Sequence, residues 1–243
     1  MPAPLARLAV LPFAVALATS AQARETSPAQ SAEPTLYELG QTVKALAFDA
    51  TRFFQSEGNA TPFLTAYYGG DDYDYPVYAF ALNYSRECRG PSGAIACTSV
   101  ITARMVRARG HPDVERPRWA GTALLAELHR RGAFSQDDIA DNLSDAGAQW
   151  LEAEVSSCPG ARQLVQPRIS AGWFGFAFPD APPPPPTMHA DNVEIAYSWR
   201  GASSRYDGPV TNGSPARWAD DLVRALEPCW TPAQVPAPWL AGR

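Results

Sequence analysis

Lysine is nearly missing from this chain. Lys44 is the single lysine among 20 basic residues in 243, and Gln41, not a serine, stands three residues before it, which removes the Ser-x-x-Lys class of nucleophile. Histidine is also scarce: His111, His129 and His189 occur far apart. No H-x-x-x-H pair exists, so a zinc hydrolase would have to gather its ligands from scattered positions. No Gly-x-Ser-x-Gly elbow is present, because Gly90-Pro91-Ser92-Gly93 has the wrong spacing. Four cysteines occur and none are in a C-x-x-C spacing, which argues against a metal ribbon or a thioredoxin-type redox pair. An excess of positive charge is lacking as well; the formal net charge of −5 speaks against a partner that must be held by phosphate neutralisation, so no nucleic acid is expected.

What is present begins with an address. Residues 1–7 carry Arg7, residues 8–18 are apolar, and Ala21-Gln22-Ala23 offers the small residues a signal peptidase reads. This predicts a signal peptide over residues 1–23. Its apolar core is too short to cross a hydrocarbon layer of about 30 Å, and no second long apolar run follows. The expectation is an exported chain, periplasmic or extracellular, with no transmembrane segment in the mature part. Residues 24–34 are rich in Ser, Ala, Gln and Glu and predict a disordered leader. Residues 35–243 are enough for one globular domain with a real core.

In an exported chain four cysteines read as two disulfides. If Cys88 bonds Cys97 across an antiparallel pair, facing residues have numbers that add to 185. Arg86 then faces Ser99, Tyr84 faces Ile101, Leu82 faces Ala103 and Phe80 faces Met105. The opposite side carries Ala81 against Arg104, Asn83 against Thr102, Ser85 against Val100 and Glu87 against Thr98. One register thus sorts large apolar side chains from small and polar ones. By elimination Cys158 joins Cys229.

Helices are expected where apolar residues recur every three to four positions. Thr35 and Glu38 have the capping-box spacing, and the stripe Leu36, Leu39, Val43, Leu46, Ala50, Phe53 follows, stopping before Gly58. A helix is predicted over about 119–131 and a short one from Ser135. A longer helix capped by Ser144 is predicted to bury Ala148, Leu151 and Val155. The last is capped by Ser214 with Pro215 in its first turn. Strands are predicted over 62–68, over 164–178 and over 192–199. Residues 181–187 form a proline-rich loop, and the tail around Trp230 and Trp239 is expected to lie extended on the surface. The fold class is α+β: a mostly antiparallel sheet of four or five strands with three or four helices packed on one face and two disulfides.

Functional candidates are few. Asp71, Asp72 and Asp74 lie within four residues, short of a full calcium loop. His111-Pro112-Asp113 matches the tripeptide of J-domain co-chaperones, yet it follows a strand and lacks the lysine-rich helix, and reads as a turn. Trp173, Phe174, Phe176 and Phe178 suit a core more than a ligand groove. Nothing implies a cofactor or a metal. The arginines between 86 and 131 suggest an anion-binding surface at Arg107, Arg109, Arg116 and Arg118, whose partner would be an anionic envelope polymer. The functional expectation is a non-catalytic exported binding or envelope-associated protein. The alternative is a secreted hydrolase assembled from Asp72, Asp74, His111 and His129.

Overall fold

Strands β2 (Tyr75–Arg89) and β3 (Ala96–Arg107) form the hairpin that the cysteine spacing implies. Their register is the expected one: Cys88 faces Cys97, Tyr84 faces Ile101, Leu82 faces Ala103 and Phe80 faces Met105. Both disulfides, Cys88–Cys97 and Cys158–Cys229, are formed. The structure is a computed structural model that describes residues 33–56, 60–70, 75–89, 96–108, 121–170, 191–199 and 201–241.

Strands β1 (Leu64–Gly70), β4 (Gln149–Glu154), β5 (Asn192–Trp199), β6 (Ala202–Pro209) and β7 (Thr231–Pro232) extend the hairpin on both sides. The order is β6-β5-β1-β2-β3-β4-β7, and every neighbouring pair is antiparallel. The α+β class therefore holds, with seven strands among the described residues where four or five were expected.

The helices correct the expectation of a single covered face. Helices α1 (Leu36–Ala47), α2 (Gly121–Arg130) and α3 (Gln136–Asn142) pack on one face with Ala79, Ala81, Val106 and Tyr67. Helices α4 (Pro159–Ser170) and α5 (Pro215–Ala225) pack on the other with Tyr78, Phe80, Leu82 and Met105. The face of small residues is thus buried too, because Ala79 and Ala81 let helices come close. Arg104, a charged residue on that face, is only 2 % exposed. Its Nε donates to Glu152 Oε2 on β4 at 2.6 Å, one Nη donates to the Phe53 carbonyl at 2.9 Å, and the guanidinium lies 4.4 Å from the centre of the Phe54 ring. A buried guanidinium is tolerated only when partners replace its water, as these do.

Local signals explain most element ends. Thr35 and Glu38 form the capping box, each side chain accepting from the other's backbone N–H at 2.8 and 3.3 Å. Helix α1 stops at Ala47, short of the apolar stripe, because Asp49 accepts from the Thr51 N–H and hydroxyl and starts a separate turn over Ala50–Arg52. Ser214 caps α5, accepting from the Arg217 N–H at 3.0 Å. That helix buries Trp218, Leu222 and Val223, each contributing about 1.5–3 kcal/mol by burial.

Two segments exchange roles relative to the sequence reading. The helix expected after Ser144 is strand β4, in which Leu151 and Ala153 are buried and alternate with Glu152 and Glu154. The strand expected over 164–178 is, as far as residue 170, helix α4 with Pro167 inside it; residues 171–178 lie outside the described residues. The tail, expected to lie extended on the surface, instead packs into the fold. β7 pairs with β4, the Trp150 indole N–H donates to the Val235 carbonyl at 3.0 Å, and Trp239 is buried on the α1 side.

The two disulfides hold different things. Beyond Leu82 and Thr102 the hairpin has no neighbouring strand among those described, so residues 83–89 and 96–101 form a two-stranded arm with Cys88–Cys97 near its tip. Such a ribbon is marginal alone. Cys158–Cys229 instead ties the start of α4 to the end of α5 and closes a loop of 71 residues, for which chain entropy predicts about 4 kcal/mol. Replacing Cys158 and Cys229 with serine is expected to cause the larger fall in Tm, whereas replacing Cys88 and Cys97 accelerates amide exchange in the arm alone. Thermal unfolding with hydrogen exchange checks this, and equal falls in Tm would refute it.

Truncating Arg104 leaves the buried Phe53 carbonyl and the half-buried Glu152 carboxylate without their shared donor. Arg104→Ala is expected to cost about 2–4 kcal/mol, less than breaking a fully buried pair because Glu152 keeps contact with water. Urea unfolding measures it; a loss below about 1 kcal/mol would show that the pair is not structural.

Candidate functional site

Successive strand pairings place one row of residues across the sheet on the α1 face: Arg205, Ala196, Thr65, Ala81, Arg104 and Glu152. Phe53 and Phe54 close over the Arg104 end. At Thr65 and Ala196 the helix layer has ended and the residues are small, so a groove of about 470 Å³ opens between α1 with its following turn and strands β1, β5 and β6. Ala196 on its floor is exposed and Thr65 half-buried. Gln41, Ala45, Phe48 and Thr51 form the helical wall.

The adjacent row supplies fixed charge. Glu194 on β5 faces Tyr67 on β1. Lys44 of α1 lies 3.9 Å from the centre of the Tyr67 ring and donates to Glu194 Oε1 at 3.1 Å, while an Arg205 Nη donates to Glu194 Oε2 at 2.8 Å. One carboxylate thus holds two cations from two other elements at the mouth of the groove. Partial burial raises the Glu194 carboxyl, but Lys44 and Arg205 outweigh it and hold the group below its ordinary value of 4.5. Asp49, the other carboxylate of the lining, is turned to its own backbone and Thr51. A second polar group lies under α5. Arg224 Nε donates to the buried Asp220 at 2.8 Å, and the enclosed Tyr78 hydroxyl is held well above the usual tyrosine range, by burial first and then by Asp220 and Tyr68.

Of the residues singled out from sequence, Arg107 sits at the end of β3. Its Nε donates to Gln149 at 2.6 Å and one Nη to both oxygens of Glu227 at 2.8 and 2.9 Å. Arg109, Arg116 and Arg118 lie outside the described residues. His129, on α2, stacks edge-on against Phe134 and has its Nε2 3.9 Å from Glu33, away from the groove. Asp71, Asp72, Asp74, His111, His189 and the aromatic residues Trp173, Phe174, Phe176 and Phe178 also lie outside the described residues. Among the described residues no group of three or more His, Cys, Asp or Glu is placed to hold a metal ion, and no helix is long and apolar enough to cross a membrane.

The groove residues Lys44, Thr65, Glu194, Ala196 and Arg205 were not found by sequence reasoning. They are 150 and more positions apart at the extremes, and only pairing of β1 with β5 brings them together. The one local signal is the alternation along β5, where Glu194 and Ala196 fall between the buried Val193, Ile195 and Tyr197.

The Glu194 pairings carry a pH dependence. A carboxylate whose folded pKa is lowered adds stability above its unfolded pKa, and that gain is lost as pH falls through the folded value. Between about pH 6 and pH 3, Glu194→Gln is therefore expected to flatten the acid side of the Tm profile, with the wild type losing its advantage below about pH 4.5. Parallel acid limbs in the two proteins would contradict this.

Comparison with protein-family models, with curated proteins and with solved structures yields no match to this chain.

Proposed function

We propose that this chain is an exported, non-catalytic binding protein whose ligand sits in the groove between α1 and strands β1, β5 and β6. The single observation that carries this is the open sheet face at Thr65 and Ala196 beside the Lys44–Glu194–Arg205 cluster. A binding seat needs shape and fixed polar groups; the groove has both. Among its described lining residues there is no histidine to act as base, and its two carboxylates accept from Lys44 and Arg205 and from the neighbouring Thr51.

Export is supported by the signal-like features of residues 1–23 and by the two disulfides, which persist in oxidising compartments. Of the residues of the hydrolase alternative, His129 packs edge-on against Phe134 on α2, and Asp72, Asp74 and His111 lie outside the described residues.

The test is equilibrium dialysis of the disulfide-bonded chain against a mixture of small organic acids, sugars and short peptides, followed by mass spectrometry of what is retained. The wild type is expected to retain a ligand and return it chemically unchanged. Ala196→Phe, which fills the groove from an exposed position, is expected to retain none. Retention by both proteins would remove the groove as the seat, and recovery of cleaved ligand would restore the hydrolase.

A further inference from the structure

We infer that the outer edge of β6 docks a second copy of this chain, joined antiparallel about a two-fold axis at Tyr206 so that Arg205 of each copy faces Asp207 of the other. This is independent of what the groove binds. Among the described strands β6 is last in the order, with β5 on one side and no strand on the other. The ladder shows which of its backbone groups are used. The Ser198 N–H donates to the Phe63 carbonyl at 2.8 Å, on the β1 side, so even-numbered residues of β5 bond toward β1 and odd-numbered ones toward β6. The odd-numbered Val193, Ile195 and Tyr197 face Gly208, Tyr206 and Ser204. Ser203, Arg205 and Asp207 therefore turn their N–H and C=O groups outward, and all three residues are exposed. Such a row is a template for another strand.

The side chains along this edge select a second copy and fix its register. Antiparallel neighbours pair outward residues with outward residues, so one copy slides along the other in whole pairs. With Tyr206 on the axis, Arg205 meets Asp207 twice, and Ser203 meets Pro209 at each end. Sliding one way sets Arg205 against its own copy, and sliding the other way sets Asp207 against its own copy. Opposite charges directly across a strand pair stabilise it and like charges destabilise it; the charges thus favour one register and oppose both of its neighbours. Asp207 also needs a cation where it stands. Within its own chain it lies directly opposite another carboxylate, Glu194, and accepts from the Asn192 amide. Arg205 gives one Nη to Glu194, and its side chain is 71 % exposed. A guanidinium carries five N–H donors, enough to hold Glu194 and the second copy's Asp207 together. Arg205 and Asp207 share the α1 face of the sheet, so the axis stands perpendicular to the sheet and the interface is isologous. Arg205 also lines the groove, and the two grooves then open on the same face of the joined sheet.

The test is sedimentation equilibrium of the disulfide-bonded chain from micromolar to millimolar concentration, with amide hydrogen exchange at both ends of the range. A monomer that becomes a dimer is expected. Asp207→Arg is expected to weaken the dimer at least about tenfold, because both symmetry-related pairs become like-charged. Arg205→Asp combined with Asp207→Arg exchanges the two charges and is expected to restore it. In the wild type the Arg205 and Asp207 amides are expected to exchange fast when dilute and to slow as the dimer forms, while the Tyr206 amide, bonded to β5, is slow throughout; this readout stands whatever the stability of the variants. A chain that stays monomeric at every concentration would overturn the proposal. So would a dimer that Asp207→Arg leaves unchanged, or a folded double variant that stays monomeric. Slow exchange of the Arg205 and Asp207 amides in the dilute monomer would show that the chain covers this edge itself, and would overturn it too.

Discussion

The ladder between β2 and β3 is the constraint on which the rest of the structure depends. It runs unbroken from Tyr78 opposite Arg107 to Arg89 opposite Ala96, and its register decides which side chains enter each of the two cores. A slip of one residue would exchange the faces. Tyr78, Phe80 and Leu82 would then meet the helices that now lie on Ala79 and Ala81, where there is no room for them. The staple at Cys88–Cys97 and the burial of both faces therefore enforce the same pairing from opposite ends.

A sheet covered on both faces must deal with every polar residue at its centre. Arg104 is the test case, since its position opposite Ala81 places a guanidinium under α1. Glu152, the Phe53 carbonyl and the Phe54 ring replace its water, and this ties β3 to β4 and to the turn after α1 at once. The same row ends at the opposite edge in Arg205, whose side chain is 71 % exposed. Two arginines on one line of the sheet thus meet opposite fates, one sealed and one exposed. The difference is the segment after α1, whose Phe53 and Phe54 close over Arg104 and leave Arg205 71 % exposed. The groove is the space left where the helical layer stops and the strand residues are small.

Local chemistry made several elements legible. Thr35 with Glu38, Ser135 with Asp138 and Ser214 with Pro215 mark helix starts by caps that the structure contains. The alternation of Val193, Ile195 and Tyr197 marks β5, and the cysteine spacing led to the hairpin register. Strand β4 was misread because Gln149, Leu151, Glu152 and Ala153 are good helix formers, and pairing with β3 overrode their propensity. Helix α4 was misread because Pro167 suggests a strand edge; packing of Ala161 and Val165 against the core sustains the helix around it.

By itself the sequence determined the pairing of the cysteines, the register of the hairpin, the helices capped by Thr35, Ser135 and Ser214 and the α+β class, because these depend on residues close in the chain or on period-two and period-3.6 patterns. The tertiary structure alone decided that helices cover both faces, that the sheet has seven strands among the described residues, and that Lys44, Glu194 and Arg205 meet. The physical reason is sequence distance. Lys44 and Glu194 are separated by 150 residues, and no local propensity records which strand will come to lie beside β1. That choice is made by burial of the whole apolar surface at once, and only when it is made do three unremarkable side chains become a site.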